Sequence, residues 1–586
     1  MKPYSPGPSK PQVNNDFILK LKKPFLIFVT TFLPLLLISC KDQITTDDFN
    51  EKSSRITNST LRESWAKDSV KVLGKKLENP STLTVMELAY QNVKKINKIP
   101  TSISKSPVRV THRYIKFNPK DWLEYDILRN KVSKDYVLYD YPLDYEIIQK
   151  GNSYHDPEII KNKPTYQYAV VRKDFDLNFN VKYKIISEIY IPEFDDSIGS
   201  KDGKVSNENH DFIEEWIAES LRLTKNDNYI MKSKNAKVNW TPSGSVKTFD
   251  SRLGYAIPLE GVRVECHRFL TTFFTFTNSN GDYSMFPGSF TFGAQYSVIF
   301  ETNRFDVRSG GLGQAYYDAS ERLSGPWHIT FGQGSLEAFY SDVFRGAYRY
   351  NYGNIFGLVS PSGFSLAKVK YGAYNSQGSV EGDGGGIHTY GLFTDIRIWR
   401  YYSGLASNPK SDQTFASTIH ESAHEVHRFC MGGSIQFDDV SDKIVESWAS
   451  AVELWITRDE YQSRGLSDYA SLYVLFTTSN FQPISLGHQL WLKANATGDN
   501  INYSNLFIDL EDTFNQAGGM NYISLPNYFS YYGIGHNDPI SGYSIAQLQI
   551  ILCNSSYGLS SLATNLKNNK PSNVTNEMID TFLQNY

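Results

Sequence analysis

His420-Glu421-Ser422-Ala423-His424 carries more chemistry per residue than any other stretch of the chain. Two histidines four apart leave an α-helix about 40° apart around its axis, so both imidazoles emerge from one face. Such a pair can hold two of the four positions on a Zn²⁺. The glutamate beside the first histidine is then placed to act as general base on the attacking water. With 11 histidines in 586 residues, the pattern arises by chance in roughly one such chain in a hundred. The surrounding sequence therefore carries the decision.

That sequence favours a helix. Phe415, Ile419, Ala423 and Val426 form an apolar stripe at helical spacing, and Ser417 or Thr418 is expected to cap it. Glu425 adds a carboxylate directly after the second histidine.

A catalytic zinc needs a third protein ligand and one open position. Val445 to Trp455 reads as a second helix with large apolar residues at Trp448, Val452 and Trp455, and Met431-Gly432-Gly433-Ser434 supplies the turn before it. Glu446 follows His424 by 22 residues, room for a loop and a return helix, and is the favoured third ligand. His427, Glu453 and Asp442 are the alternatives. His427 sits on the same rigid helix as the pair, whereas a tetrahedron is usually closed from another element. Glu453, seven residues after Glu446 on the same face, is expected to orient a histidine from outside the ligand set. Further on, Tyr532 and His536 are candidate donors to a developing oxyanion. The expected cofactor is one Zn²⁺ per chain.

This arrangement resembles the gluzincin metallopeptidases. The resemblance implies His420, His424 and Glu446 as zinc ligands, Glu421 as base, and a protein or peptide as substrate. Where gluzincins often carry an acid four residues after the ligand glutamate, this chain has Ser450. The wider pattern is similar to a group of bacterial lipoprotein zinc metalloproteases, in which HExxH is followed by a helix like Glu446-Ser447-Trp448-Ala449. The likeness extends through Pro142 to Glu146, Tyr154 to Pro157 and Pro258 to Val262, roughly residues 105–560.

The elements that must carry this site begin with an export signal. Lys20, Lys22 and Lys23 precede an apolar run from Phe25 to Ile38, which is too short for a comfortable membrane span. Leu37-Ile38-Ser39-Cys40 matches a lipobox, so Cys40 is expected to be lipidated and to tether the chain to a bacterial cell envelope, at the outer membrane or cell surface. Three cysteines then remain, which permits one bridge at most. Net charge is −3 with no basic tract, which argues against a nucleic-acid partner.

The expected fold is multidomain α+β. Residues 1–40 are the signal and 41–105 a polar tether with helices such as Leu83 to Ile96. Residues 106–239 form an α+β domain with a helix from Phe212 to Leu223. Residues 240–305 are a small β-sandwich: Gly261 to Cys266 alternates with period two, Phe273 to Thr277 is a strand, and Asn278 to Asp282 turns it onto Tyr283 to Phe286 as partner. The order of Gly261-Val262, Thr277, Gly281 and Tyr283 resembles carboxypeptidase regulatory-like and transthyretin-like modules. Residues 306–586 are expected to be a mainly helical, zincin-like domain, with a strand from Leu392 to Trp399 at a sheet edge before the motif helix. Glu381 to Gly386 lacks a phosphate-loop frame and reads as a loop. A second functional reading is a surface binding or adhesion lipoprotein with a structural or vestigial zinc site. A third is zinc-dependent hydrolysis of a cell-wall or glycan linkage.

Overall fold

The computed structural model describes residues 70–586 apart from 231–239, 362–367, 379–395, 403–408, 470–503, 514–538 and shorter breaks. Cys40 and the export signal, the Glu381 to Gly386 loop, Tyr532 and His536 lie outside the described residues.

The chain is multidomain α+β. Its N-terminal part is built on β2 (His112–Asn118), which lies between β4 (Gln167–Arg172) and β5 (Lys182–Ile189), antiparallel to both. Alternation along β2 serves two cores. Ile115 and Phe117 pack with Leu128 and Val132 of helix Trp122–Val132, while Tyr114 faces Tyr168 and Ile189. Helices Leu83–Ile96 and His210–Leu223 pair beside this sheet, with Trp216 Nε1 donating to Met86 O at 2.7 Å. β1 (Val72–Lys76) and β3 (Tyr145–Gln149) form a separate ribbon, and β6 (Ser200–Lys201) with β7 (Lys204–Val205) a minor one.

The β-sandwich has one sheet in the order β11 (Thr271–Phe276), β10 (Arg263–Arg268), β13 (Gln295–Ile299), β16 (Tyr316–Asp318). Its second sheet runs β12 (Asp282–Ser284), β8 (Ser243–Asp250), β17 (Trp327–Phe331), with β9 (Tyr255–Pro258) also on β8. Val264 and Cys266 share a buried core with Val246 of the other sheet and with Tyr296, the neighbour of Cys266 in their own sheet.

One expected pairing is corrected here. The strand after the Asn278 turn joins β8 in the opposite sheet rather than returning along β11. The cause lies in the turn itself. Gly281 has φ +74°, and a Cβ there would stand 2.4 Å from Val246 O, so the chain hugs β8 as it crosses. Tyr283 then fixes the crossing by donating to Trp327 O at 2.9 Å.

The sandwich core continues into a third sheet. β14 (Phe305–Ser309) lies between β15 (Gly313–Gln314) and β18 (Val369–Gly378), and β19 (Ile396–Tyr402) takes the edge. β14, β18 and β19 are parallel. Phe305, Tyr371 and Ile398 belong to the same buried cluster as Val264, so this core draws on both sides of residue 305. The expected edge strand before the motif helix is present as β19 from Ile396 on, while Leu392 to Asp395 lie outside the described residues.

Three long helices form the remaining body: Leu336–Tyr352, the motif helix Ser411–Cys430, and the return helix Asp442–Ser463. Helices Ile545–Cys553, Leu559–Asn568 and Asn576–Leu583 complete its core. A Cβ on Gly346 would stand 2.8 Å from Phe415 O, so the first helix meets the motif helix nearly backbone to backbone. The turn after β8 pins all three. Asp250 Oδ2 accepts from Arg345 Nη1 and from Tyr461 OH, both at 2.9 Å, and Ser251 exchanges hydrogen bonds of 2.9 and 3.0 Å with Ser411. Arg252 adds an ion pair to Asp412 at 3.6 Å.

Cys430 and Cys553 form a disulfide that staples the end of the motif helix to helix Ile545–Cys553, and Cys266 is a buried free thiol. The bridge spans 123 residues of sequence; closing a loop of that length removes about 4–5 kcal/mol of unfolded-chain entropy.

Candidate metal centre

The motif helix starts earlier than expected. Ser417 and Thr418 do not cap it; they lie inside, with Thr418 Oγ1 donating to Thr414 O at 2.8 Å. The first turn is Ser411-Asp412-Gln413. Gln413 Oε1 accepts from Lys410 N at 2.8 Å, and Ser411 is held by Ser251 from the sandwich. The apolar stripe behaves as its spacing predicts, since Phe415, Ile419, Ala423 and Val426 are all buried. This fixes which side of the helix meets the return helix and turns His420 and His424 together.

Gly432 and Gly433, at φ +96° and +118°, make the turn that sends the chain back. Trp448, Val452 and Trp455 anchor the return helix in the core, with Trp448 against Phe507 at 5.3 Å between ring centres. Glu446 and Glu453 stay on the other face, two turns apart, towards the histidines.

The result is a compact group. One ligand atom each from His420, His424 and Glu446 lies within 4.8 Å of the others. Glu446 Oε2 is 3.2 Å from His420 Nε2 and 3.5 Å from His424 Nε2. Zinc bonds of about 2.0–2.2 Å in a tetrahedron separate neighbouring ligand atoms by about 3.3–3.6 Å. The two edges therefore fit a zinc ion with little adjustment. The Glu446 side chain is the most exposed of the three, at 24%, so the group opens on that side.

Glu453 Oε2 lies 2.9 Å from His420 Nδ1. That bond directs Nε2, the other ring nitrogen, at Glu446. A carboxylate behind a ligand histidine fixes its tautomer and raises its basicity. The acid that Ser450 does not provide is supplied one turn later. Replacing Glu453 by Gln is expected to weaken zinc binding about 10–100-fold with the fold intact, as read by competition against a zinc-chelating dye. Unchanged affinity would remove Glu453 from the site.

Charge in the group is arranged for a cation. Burial works against a charged His420, yet hydrogen bonds to Glu446 and Glu453 raise its pKa well above the usual value. Burial also works against a charged Glu446, but the two histidines hold its carboxyl far below the usual range. Histidine protons and a divalent ion compete for one place, because a metal needs the neutral imidazoles. Burial pushes Glu421 up to about 8; His420 opposes this, and the charges of Glu446 and Glu453 add to it. Glu421 Oε2 and His424 Nδ1 are buried without a hydrogen-bond partner among the described residues.

The other sequence candidates fall elsewhere. His427 is buried against Phe437, edge-on at 5.1 Å, and burial lowers its pKa to about 3, so it is a neutral core side chain rather than a surface one. Asp442 is exposed in the first turn of the return helix, where a carboxylate favours the helix dipole. Glu425 is matched by Arg428 at 2.6 Å, which removes its charge from the account of the metal group. One contact had no sequence signal: Tyr371 OH on β18 meets Ser422 Oγ at 2.9 Å, tying the middle of the motif to the sheet.

No protein-family model matches the chain, and no curated protein matches it. Among solved structures, the 5-hydroxyisourate hydrolase of Klebsiella pneumoniae is similar at 20% identity and a TM-score of 0.11, over 16% of this chain and 85% of that one.

Proposed function

We propose that this chain is a zinc-dependent peptidase of gluzincin type, held to a bacterial envelope by lipid on Cys40. The observation that carries the reading is the convergence of His420 Nε2, His424 Nε2 and Glu446 Oε2, with Glu421 on the next residue of the same helix. His420, His424 and Glu446 would hold the zinc, which when bound would supply Lewis acidity to the scissile carbonyl and to a water molecule. Glu421 takes the water's proton on a carboxylate oxygen with no competing partner. The water oxygen bonds to the carbonyl carbon, the C–N bond breaks, and Glu421 returns the proton to the leaving amine. His420 is kept in one tautomer by Glu453, and His424 is held by the same rigid helix.

Two further features support the reading. β19 ends its sheet without a neighbour among the described strands, and an extended peptide can add to such an edge. The Cys430–Cys553 bridge suits an oxidising compartment outside the cytoplasm.

The test is cleavage of a mixed peptide library by the zinc-loaded protein, with and without a chelator, followed by zinc replacement. Chelator-sensitive cleavage restored by zinc is the expected result. Cleavage indifferent to the chelator, or none at all while ligands still bind with Glu421 replaced, would favour a binding lipoprotein and end the peptidase reading.

A further inference from the structure

β19 packs beside the motif helix. Tyr371 of β18, which meets Ser422 in the middle of the motif, has Ile396 of β19 as its register partner. Ile396 and Ile398 enter the buried core together with Tyr371, so Arg397, Trp399 and Tyr401 belong to the opposite face of the sheet. All three are half-buried. The other basic side chains on that face have acids. Lys370 lies 4.0 Å from Asp126, and Arg308 lies 2.6 Å from Asp306, which Arg129 of helix Trp122–Val132 also holds at 2.6 Å. Arg397 differs. It has no hydrogen-bond or ion-pair partner among the described residues, and its Nε is buried without an acceptor. Its register neighbour is Gly372, which brings no side chain, and beyond that stands Arg308, already matched. A guanidinium N–H taken out of water without an acceptor is costly, and carboxylates are its best-fitting partners.

We propose that Arg397 selects an acidic side chain in the bound peptide, at the residue that pairs across from it on the edge of β19. The inference rests on the peptidase reading above and names the substrate class. β19 has no neighbour on its outer side among the described strands. A peptide added there as a strand sends every second side chain to the face that carries Arg397, with Cβ atoms about 5 Å from those opposite. A carboxylate at that position lies within reach of the guanidinium and supplies the acceptor that this face lacks. Two residues along, the next peptide side chain on the same face falls beside Trp399, whose ring is stacked on Tyr374 at 5.7 Å and 27°. A large apolar side chain suits that position. The preferred substrate is therefore a peptide with an acid two residues from a large apolar residue.

The experiment uses the zinc-loaded full chain. Cleavage products of a mixed peptide library, read by mass spectrometry, locate the selected position. Matched peptides with Glu, Gln or Lys there are then compared by kcat/KM. The wild-type chain is expected to favour Glu over Gln by about 10-fold or more, the worth of a hydrogen bond to a charged group, with Lys poorest. Arg397→Glu is expected to reverse the order and place the Lys peptide first, while Arg397→Lys keeps the acid preference in weaker form. A merely structural role for Arg397 would lower all three peptides by the same factor and leave their ratios unchanged. Unchanged ratios in Arg397→Glu, or wild-type cleavage with no preference for an acid, overturn the proposal and leave the peptidase reading standing. If Arg397→Glu does not melt as a folded chain, Arg397→Gln reads the same Glu-to-Lys ratio, which should fall towards one; a ratio kept at the wild-type value overturns the proposal. No cleavage of any peptide by the zinc-loaded wild type ends the peptidase reading and this inference with it.

Discussion

Replacing Glu421 by Gln is expected to lower peptide hydrolysis by about 10²–10⁴-fold, the usual worth of a positioned general base, while one zinc per chain remains bound. Glutamine matches glutamate in size and differs little in helix propensity, so the motif helix has no reason to move. The change removes only the ability to accept a proton. Glu421 is 8% exposed, and one of its carboxyl oxygens is buried with no partner among the described residues. Its pKa, raised by burial to about 8, would leave it largely protonated at neutral pH. A divalent cation beside it restores the carboxylate, since bound ions are often the largest charges in a site. Base and metal are therefore coupled, and the metal-free protein should be inactive even with Glu421 intact. The measurements are zinc content by atomic absorption and turnover of a peptide from the library. Full activity in the variant would end the mechanism.

The second large effect is on the metal. Changing His420 to Ala is expected to weaken zinc binding by more than the roughly 10–100-fold that loss of an outer partner costs. His420 occupies the centre of the charge arrangement. It faces Glu446 through one nitrogen and Glu453 through the other. Its loss removes a ligand and leaves two carboxylates on one helix face with one imidazole between them. Both zinc content and melting temperature should fall. A variant that still holds one zinc per chain at micromolar metal would show that the ligand set is drawn from other residues.

The parts of this arrangement that sequence made legible are those set by local periodicity. Helical spacing of Phe415, Ile419, Ala423 and Val426 put His420 and His424 on one side. The same rule put Glu446 and Glu453 on one face of the return helix, and the glycines between the helices marked the reversal. What stayed hidden depends on partners distant in the chain. The start of the motif helix is set by Ser251, 160 residues before Ser411. The strand at Tyr283 changes sheets because Gly281 is pressed onto Val246, a contact no alternation pattern encodes. Three cysteines could not name the pair that closed, and Cys430 with Cys553 lie 123 residues apart. The carboxylate of Glu425 beside the metal pair is matched by Arg428, a pairing that depends on side-chain geometry rather than on the motif.

The turn at Asp250 to Arg252 bears on how such a chain can be cut and recombined. Its three side chains hold Arg345, Tyr461, Ser411 and Asp412, which belong to all three long helices of the site-bearing body. Deleting one partner of a buried ion pair costs about 3–5 kcal/mol, because the other charge is left without compensation. A fragment beginning after the sandwich would lose several such partners at once. The sandwich is therefore not cargo that could be exchanged while the helices are kept; a shuffled version would need a new acid where Asp250 stands.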